Sequence, residues 1–168
     1  MPIHSLAQAN LARMRAPLES GVMEGFRSQL ERINAVADAS PGFVWRLATE
    51  AGDATAVRAY DDPLILFNMS VWESLEALHG YVYRSEHVGP LRRRREWFEP
   101  LAGRASLVLW WIEAGCTPTV AEALERFAWL GERGPTAEAF TFREPFPPPG
   151  ARAVRAPEVD AEFCGGPG

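Results

Sequence analysis

An α+β fold, an antiparallel sheet with helices packed on one face, is the architecture this sequence predicts, and three observations predict it. Short segments rich in β-branched and aromatic residues alternate with stretches whose apolar residues recur every three or four positions. They follow one another as strand, helix, strand, strand, helix, strand, with one more helix and a short strand appended. At 168 residues, 47% of them hydrophobic and with six Trp and nine Phe, the chain can fill a single core.

Residues 3–10 alternate, placing Leu6, Gln8 and Asn10 on one face and Ile3, Ser5, Ala7 and Ala9 on the other, which is the period of a strand. From about Pro17 the spacing turns helical, because Val22, Phe26, Leu30 and Ile33 line one side while Glu19, Glu24, Arg27 and Glu31 take the wet side. Ser40-Pro41-Gly42 stops that helix. Residues 42–47 form a second strand, and residues 50–62, rich in Ala, Gly and Asp, a loop or irregular hairpin. Residues 64–72 are the strongest strand, long and apolar on both faces. Leu75, Leu78 and Val82 mark a second helix, which Gly89-Pro90 bends or interrupts before a short continuation through Leu91, Arg95 and Phe98.

Residues 106–112 are a fourth strand carrying large groups on both faces. Thr119-Val-Ala-Glu122 has the spacing of a capping box and opens a third helix, with Val120, Leu124, Phe127 and Leu130 on its apolar side and Gly134-Pro135 at its end. Residues 139–142 add a last short strand. From residue 146 the Pro, Gly and Ala-rich sequence offers no periodic face to bury, so residues 1–145 are one domain and 146–168 a mobile tail. The order of elements is the ferredoxin-like pattern. Helices on one face leave the other face of the sheet to be covered, so a homodimer closing sheet against sheet is expected.

Composition narrows the function. A formal charge of -5 speaks against a general nucleic-acid binder, and the run Arg92, Arg93, Arg94, Arg95 must act locally. Two cysteines, Cys116 and Cys164, suggest neither a disulfide framework nor a zinc cluster, and a reducing cytoplasm is the simplest home. The N-terminal residues lack the basic start and long apolar run of a secretory signal, and no apolar stretch approaches the roughly 20 residues that cross a bilayer, so no membrane partner is expected. The absence of a Gly-rich phosphate loop, a Gly-x-Ser-x-Gly elbow and a His-Glu-x-x-His helix speaks against nucleotide-dependent transfer, α/β-hydrolase chemistry and zincin proteolysis.

The reactive side chains concentrate between residues 68 and 98. His79, Tyr83 and His87 fall at i, i+4 and i+8, one face of an unbroken helix, where two imidazoles and a phenol can orient a substrate or move a proton. The plainer alternative is a surface His79 and a helix-end His87 favoured by the dipole. The four arginines cannot all point one way at about 100° per residue. Arg92 or Arg95 is the candidate to hold a carboxylate or enolate, with the others solvated beside Glu96 and Glu99. On the third strand Asn68, Ser70 and Trp72 share a face, and polar groups in a buried strand fit a polar cavity better than a core of leucines. Trp45 and Arg46 diverge on their strand, as do Trp110 and Trp111. The candidate catalytic residues are therefore His87, Tyr83 and Asn68. Trp45, Arg46, Ser70, Trp72 and His79, with Arg92, Arg95, Trp97 and Trp111, are candidates for binding a small-molecule ligand. No metal site is visible and no cofactor is expected, with haem on a single axial His as the lesser option.

The string Ser70-Val-Trp-Glu-Ser-Leu-Glu-Ala-Leu78, followed by Tyr83-Arg-Ser-Glu-His87 and Arg92-Arg-Arg-Arg-Glu-Trp-Phe98, resembles the bacterial domain-of-unknown-function 3291 family. Gly42-Phe-Val-Trp-Arg-Leu47, Leu107-Val-Leu-Trp-Trp111, Pro118-Thr119, Gly134-Pro-Thr136 and Ala139-Phe-Thr-Phe142 are similar too, so the likeness covers residues 3 to 143. It implies a dimeric α-β barrel. That superfamily includes monooxygenases of the antibiotic-biosynthesis type that work without a cofactor, haem-binding and haem-degrading proteins, polyketide cyclases and stress-response proteins, so the fold leaves the chemistry open. The Pro-rich tail lies outside the likeness. Two readings follow: a cofactor-independent monooxygenase, isomerase or cyclase acting on a small aromatic or polyketide-like compound, or a non-catalytic binding or structural homodimer. The first requires a void of about 300 Å³ or more beside Asn68 and His87, and the second requires that space to be filled.

Overall fold

One long strand organises the sheet. In the computed structural model, which describes residues 2–49, 52–55, 57–84 (Arg84 by its backbone) and 93–151, β1 (His4–Met14) runs through the middle. It pairs antiparallel with β3 (Ile65–Trp72) from Leu6 opposite Trp72 to Arg13 opposite Ile65. On its other side it pairs with β5 (Leu107–Glu113), and its last two residues pair with the short β4 (Phe98–Glu99). The edge strand β2 (Phe43–Arg46) lies against β3. With helices between β1 and β2 and between β3 and β5, this is the ferredoxin-like sheet that the order of elements predicts.

β1 extends past the expected end at Asn10, with Leu11 buried on one face of the sheet and Met14 on the other. The single helix expected from Pro17 is instead a 3-10 turn (Gly21–Met23) and two helices, α1 (Glu24–Arg27) and α2 (Leu30–Asp38). The break falls at Ser28, whose hydroxyl turns back to the carbonyl of Gly25 at 3.1 Å. Gly42 then turns the chain with φ at +79°, and a Cβ there would stand 2.5 Å from that of Ala77 on α3 (Leu75–Arg84). A one-turn helix, α4 (Arg94–Trp97), leads into β4. α5 (Val120–Arg133) starts as expected, with Thr119 Oγ1 accepting the amide N–H of Glu122 at 3.1 Å. The Glu122 carboxylate does not complete the box but accepts the Trp110 indole N–H at 3.0 Å, tying α5 to β5. The expected last strand reduces to two isolated bridges, Ala139 with Thr136 and Phe140 with Leu109, and each pair exchanges both backbone hydrogen bonds.

Residues paired across antiparallel strands share a face, so the register sorts the sheet in two. Ala7, Ala9 and Leu11 lie with Met69, Val71 and Trp110 on one face, each at most 1% exposed, under Ala123, Phe127 and Leu130 of α5. The cover that the sequence leads one to seek in a second copy is thus supplied by the chain's own appended helix. Leu6, Gln8, Asn10 and Ala12 lie with Trp72, Ser70, Asn68 and Leu66 on the other face, against α1, α2 and α3.

Candidate functional site

The face under α1 and α2 is incompletely filled, and the gap is a cavity of about 170 Å³. Its floor holds Asn10 and Asn68, direct cross-strand neighbours on β1 and β3. α2 turns Leu30, Ile33 and Asn34 toward it at i, i+3 and i+4, the spacing of one helix face. Phe26, Leu66, Trp97 and Phe98 complete apolar walls. Trp97 is 3% exposed, with Phe26 at 5.9 Å between ring centroids and the Arg93 guanidinium 5.1 Å above the indole. Gly25 permits this packing, since a Cβ there would meet that indole at 3.2 Å.

Polar groups converge on the cavity from the sheet, α2 and the loop at residues 52–55. Asp53 Oδ1 accepts the Thr55 amide at 2.9 Å and the Thr55 hydroxyl at 2.5 Å, an Asx turn that leaves Oδ2 for another donor. The side chains of Asn10, Asn34 and Asn68 make no hydrogen bond to a described residue, so each presents one acceptor and two donors to whatever fills the space. Arg94 stands exposed at the rim. Such a site can hold an oxyanion by amide N–H groups against an aromatic wall, with one carboxylate to accept a proton.

Of the sequence-predicted residues, Asn68 and Trp97 line this cavity. Ser70 is next to it but already engaged, accepting the Gln8 amide N–H at 2.7 Å and the Trp72 indole N–H at 2.8 Å. Trp72 is fully buried and stacks on Tyr81 at 5.0 Å. The Tyr81 phenol is pushed up to about 12, first by burial and then by the charge of Asp38, with Arg46 opposing. Arg46 does not line the cavity but holds its loop, bonding Asp38 at 2.7 Å and the Gly52 carbonyl at 2.7 Å. Trp45 packs in the core beneath α5. Trp111 donates to the Phe146 carbonyl at 2.8 Å, beside a separate groove under residues 145–151.

His79 and Tyr83 do share a helix face, with rings 4.4 Å apart, but that face meets Phe142 and solvent rather than Asn68. Arg95 is exposed in a neighbouring cleft. His87 and Arg92 lie outside the described residues. Sequence reasoning passed over Asn10, Asn34, Asp53, Thr55 and Arg94. Asn10 carried a signal, being polar on the same face of a predicted strand as Gln8. Arg94 stood in the arginine run, which marked the segment but not the member that borders the cavity, and Asn34, Asp53 and Thr55 carried no signal, because only the packing of α2 and the loop brings them to the sheet.

Among the described residues no three His, Cys, Asp or Glu side chains gather as a metal site, and no helix is long and apolar enough to cross a membrane. No curated protein matches the chain. Among solved structures it is similar to SnoaB, a cofactor-independent oxygenase from Streptomyces nogalater, at 18% identity over 67% of this chain and 95% of that one, with a TM-score of 0.44. It is similar also to PA3566 from Pseudomonas aeruginosa, at 13% identity over 69% of this chain and 99% of that one, TM-score 0.45. NE2512, a protein of unknown function from Nitrosomonas europaea, matches at 9% identity over 71% of this chain and 97% of that one, TM-score 0.43. The family model described as Domain of unknown function (DUF3291) matches residues 5–156, nearly the whole length, and the chain belongs to that family.

Proposed function

We propose that this protein binds a small, partly aromatic molecule between the sheet and α1–α2 and acts on it without a resident cofactor. The reaction class is removal of an acidic C–H or O–H proton with the anion held by amide donors, the first step of a cofactor-independent oxygenation by dioxygen, an isomerisation or a cyclisation. The observation that carries this reading is the pair Asn10 and Asn68, side by side on the sheet in a solvent-reached recess with aromatic walls, neither amide bonded to a described residue. Both are reached by solvent, Asn68 being exposed, so water satisfies them in the free protein and a molecule entering the recess would meet amides free to bond to it. Asp53 is the carboxylate placed to take the proton.

His87 lies outside the described residues, and the void beside Asn68 leaves the space unfilled but does not reach the size expected of the enzyme cavity. Its volume of about 170 Å³ is below the 300 Å³ or so of a drug-sized pocket and close to the roughly 150 Å³ that accepts one benzene ring. A single-ring compound therefore fits better than a polycyclic one. The reading includes a homodimer that joins surfaces other than the sheet face under α5, which equilibrium sedimentation would measure. Binding of single-ring phenols, followed by tryptophan fluorescence, tests the site itself. Asn68→Ala should weaken it about tenfold with an unchanged circular dichroism spectrum, and equal binding by that variant would overturn the assignment.

A further inference from the structure

The cavity does not end at its walls. Ala12, Arg94 and Phe98 border it on one side and on the other border a second cleft of about 310 Å³, which reaches Arg95, Glu99 and Arg104. The charges there do not cancel. Glu99 shares Arg13 with Asp62, which leaves one carboxylate charge over, and Glu96 is held by Arg93 at 3.0 and 3.2 Å. Among the described residues no carboxylate pairs with Arg94, Arg95 or Arg104, although Arg104 is packed over the Tyr60 ring at 4.6 Å. The backbone that carries the first two is fixed, since Arg15 donates its amide to the Trp97 carbonyl at 2.8 Å and its Nε to the Arg95 carbonyl at 2.7 Å. Three guanidinium groups without a carboxylate partner among the described residues thus lie along a cleft that opens into a ring-sized cavity, with Arg94 on the shared border, and they outnumber the one carboxylate charge left over beside them.

From this juxtaposition we infer that the ligand is an anion: a single aromatic ring that enters the cavity and carries a carboxylate, which Arg94 binds at the border and Arg95 and Arg104 attract along the cleft. The guanidinium fork matches a carboxylate in two hydrogen bonds, and the exposure of Arg94 makes the attraction sensitive to salt. The inference rests on the cavity proposed above as the binding site and adds the charge of its ligand.

The test compares benzoate and salicylate with benzamide and salicylamide, acids against neutral amides of the same size, by tryptophan fluorescence and calorimetry. The acids should bind about tenfold more tightly at low salt, with the preference shrinking as sodium chloride is raised. Arg94→Gln should remove most of that preference, bringing the affinity for the acids down toward that for the amides. Arg143→Gln, an exposed arginine that lines neither space, should keep it. Equal binding of acids and amides to the wild-type protein, or full acid preference in Arg94→Gln, would overturn the anion assignment and leave the cavity reading standing. If neither acids nor amides bind, both fall together.

Discussion

The two faces of the sheet are made from the same strands and solve the same packing problem differently. Under α5 every inward position from Ala7 to Trp110 is apolar and closed, and the helix is keyed by the Trp110–Glu122 hydrogen bond. Under α1 and α2 the strands instead carry Gln8, Asn10, Ser70 and Asn68, and the helices stop short of filling the space. Under the proposed function the faces divide the work, stability resting on the closed one and ligand binding on the recessed one.

Substitutions should separate the two roles. Phe127→Ala removes the aromatic anchor of α5 and should cost about 3–5 kcal/mol in urea unfolding. A loss under 1 kcal/mol or so would mean that α5 is a loose cover.

Tyr81, at the filled end of the ligand face, gives a test by pH. Its phenol normally titrates near 10.0 and is raised to about 12 in the fold, first by burial. A raised folded value means that the stabilisation is complete below pH 10 or so and is lost as pH rises through about 12, a change of roughly 2–3 kcal/mol. The chain contains no lysine and only three tyrosines, so few other groups obscure that range. Tyr81→Phe should flatten the alkaline limb of the stability profile, and an unaltered limb would place the effect elsewhere.

Ser70→Ala leaves the indole N–H of Trp72 and the amide of Gln8 without their acceptor and should cost about 1–3 kcal/mol. Asn68→Leu should have the smallest effect on stability and the opposite sign. Filling the cavity with apolar surface should leave stability unchanged or raise it by up to about 1 kcal/mol while abolishing ligand binding. Destabilisation by Asn68→Leu comparable to that of Ser70→Ala would show that Asn68 serves the fold, and would blur the contrast between the faces.

Much of the fold was legible because strand and helix periods are local. The alternation in β1, the apolar run of β3 and the Thr119 cap read directly. The broken helix around Ser28 and the two-residue β4 did not, because a side chain competing for a carbonyl and a strand of that length leave no periodic trace. The site was half legible. Asn68 stood out as a polar residue in an apolar strand, whereas the spacing of His79 and Tyr83 correctly predicted a shared face but not what that face meets.

By itself the sequence determined the order of the main elements, the faces of the long strands and of α5, and the likeness to its family, since all of these follow from local spacing and residue type. Only the tertiary structure decided that α5 closes the second sheet face, that Asn10 stands beside Asn68, and that Asn34, Asp53 and Arg94 reach the same recess. Those are decisions of register and docking between segments 20 to 60 residues apart or more in this chain, and no local period encodes the distance across which two such surfaces meet.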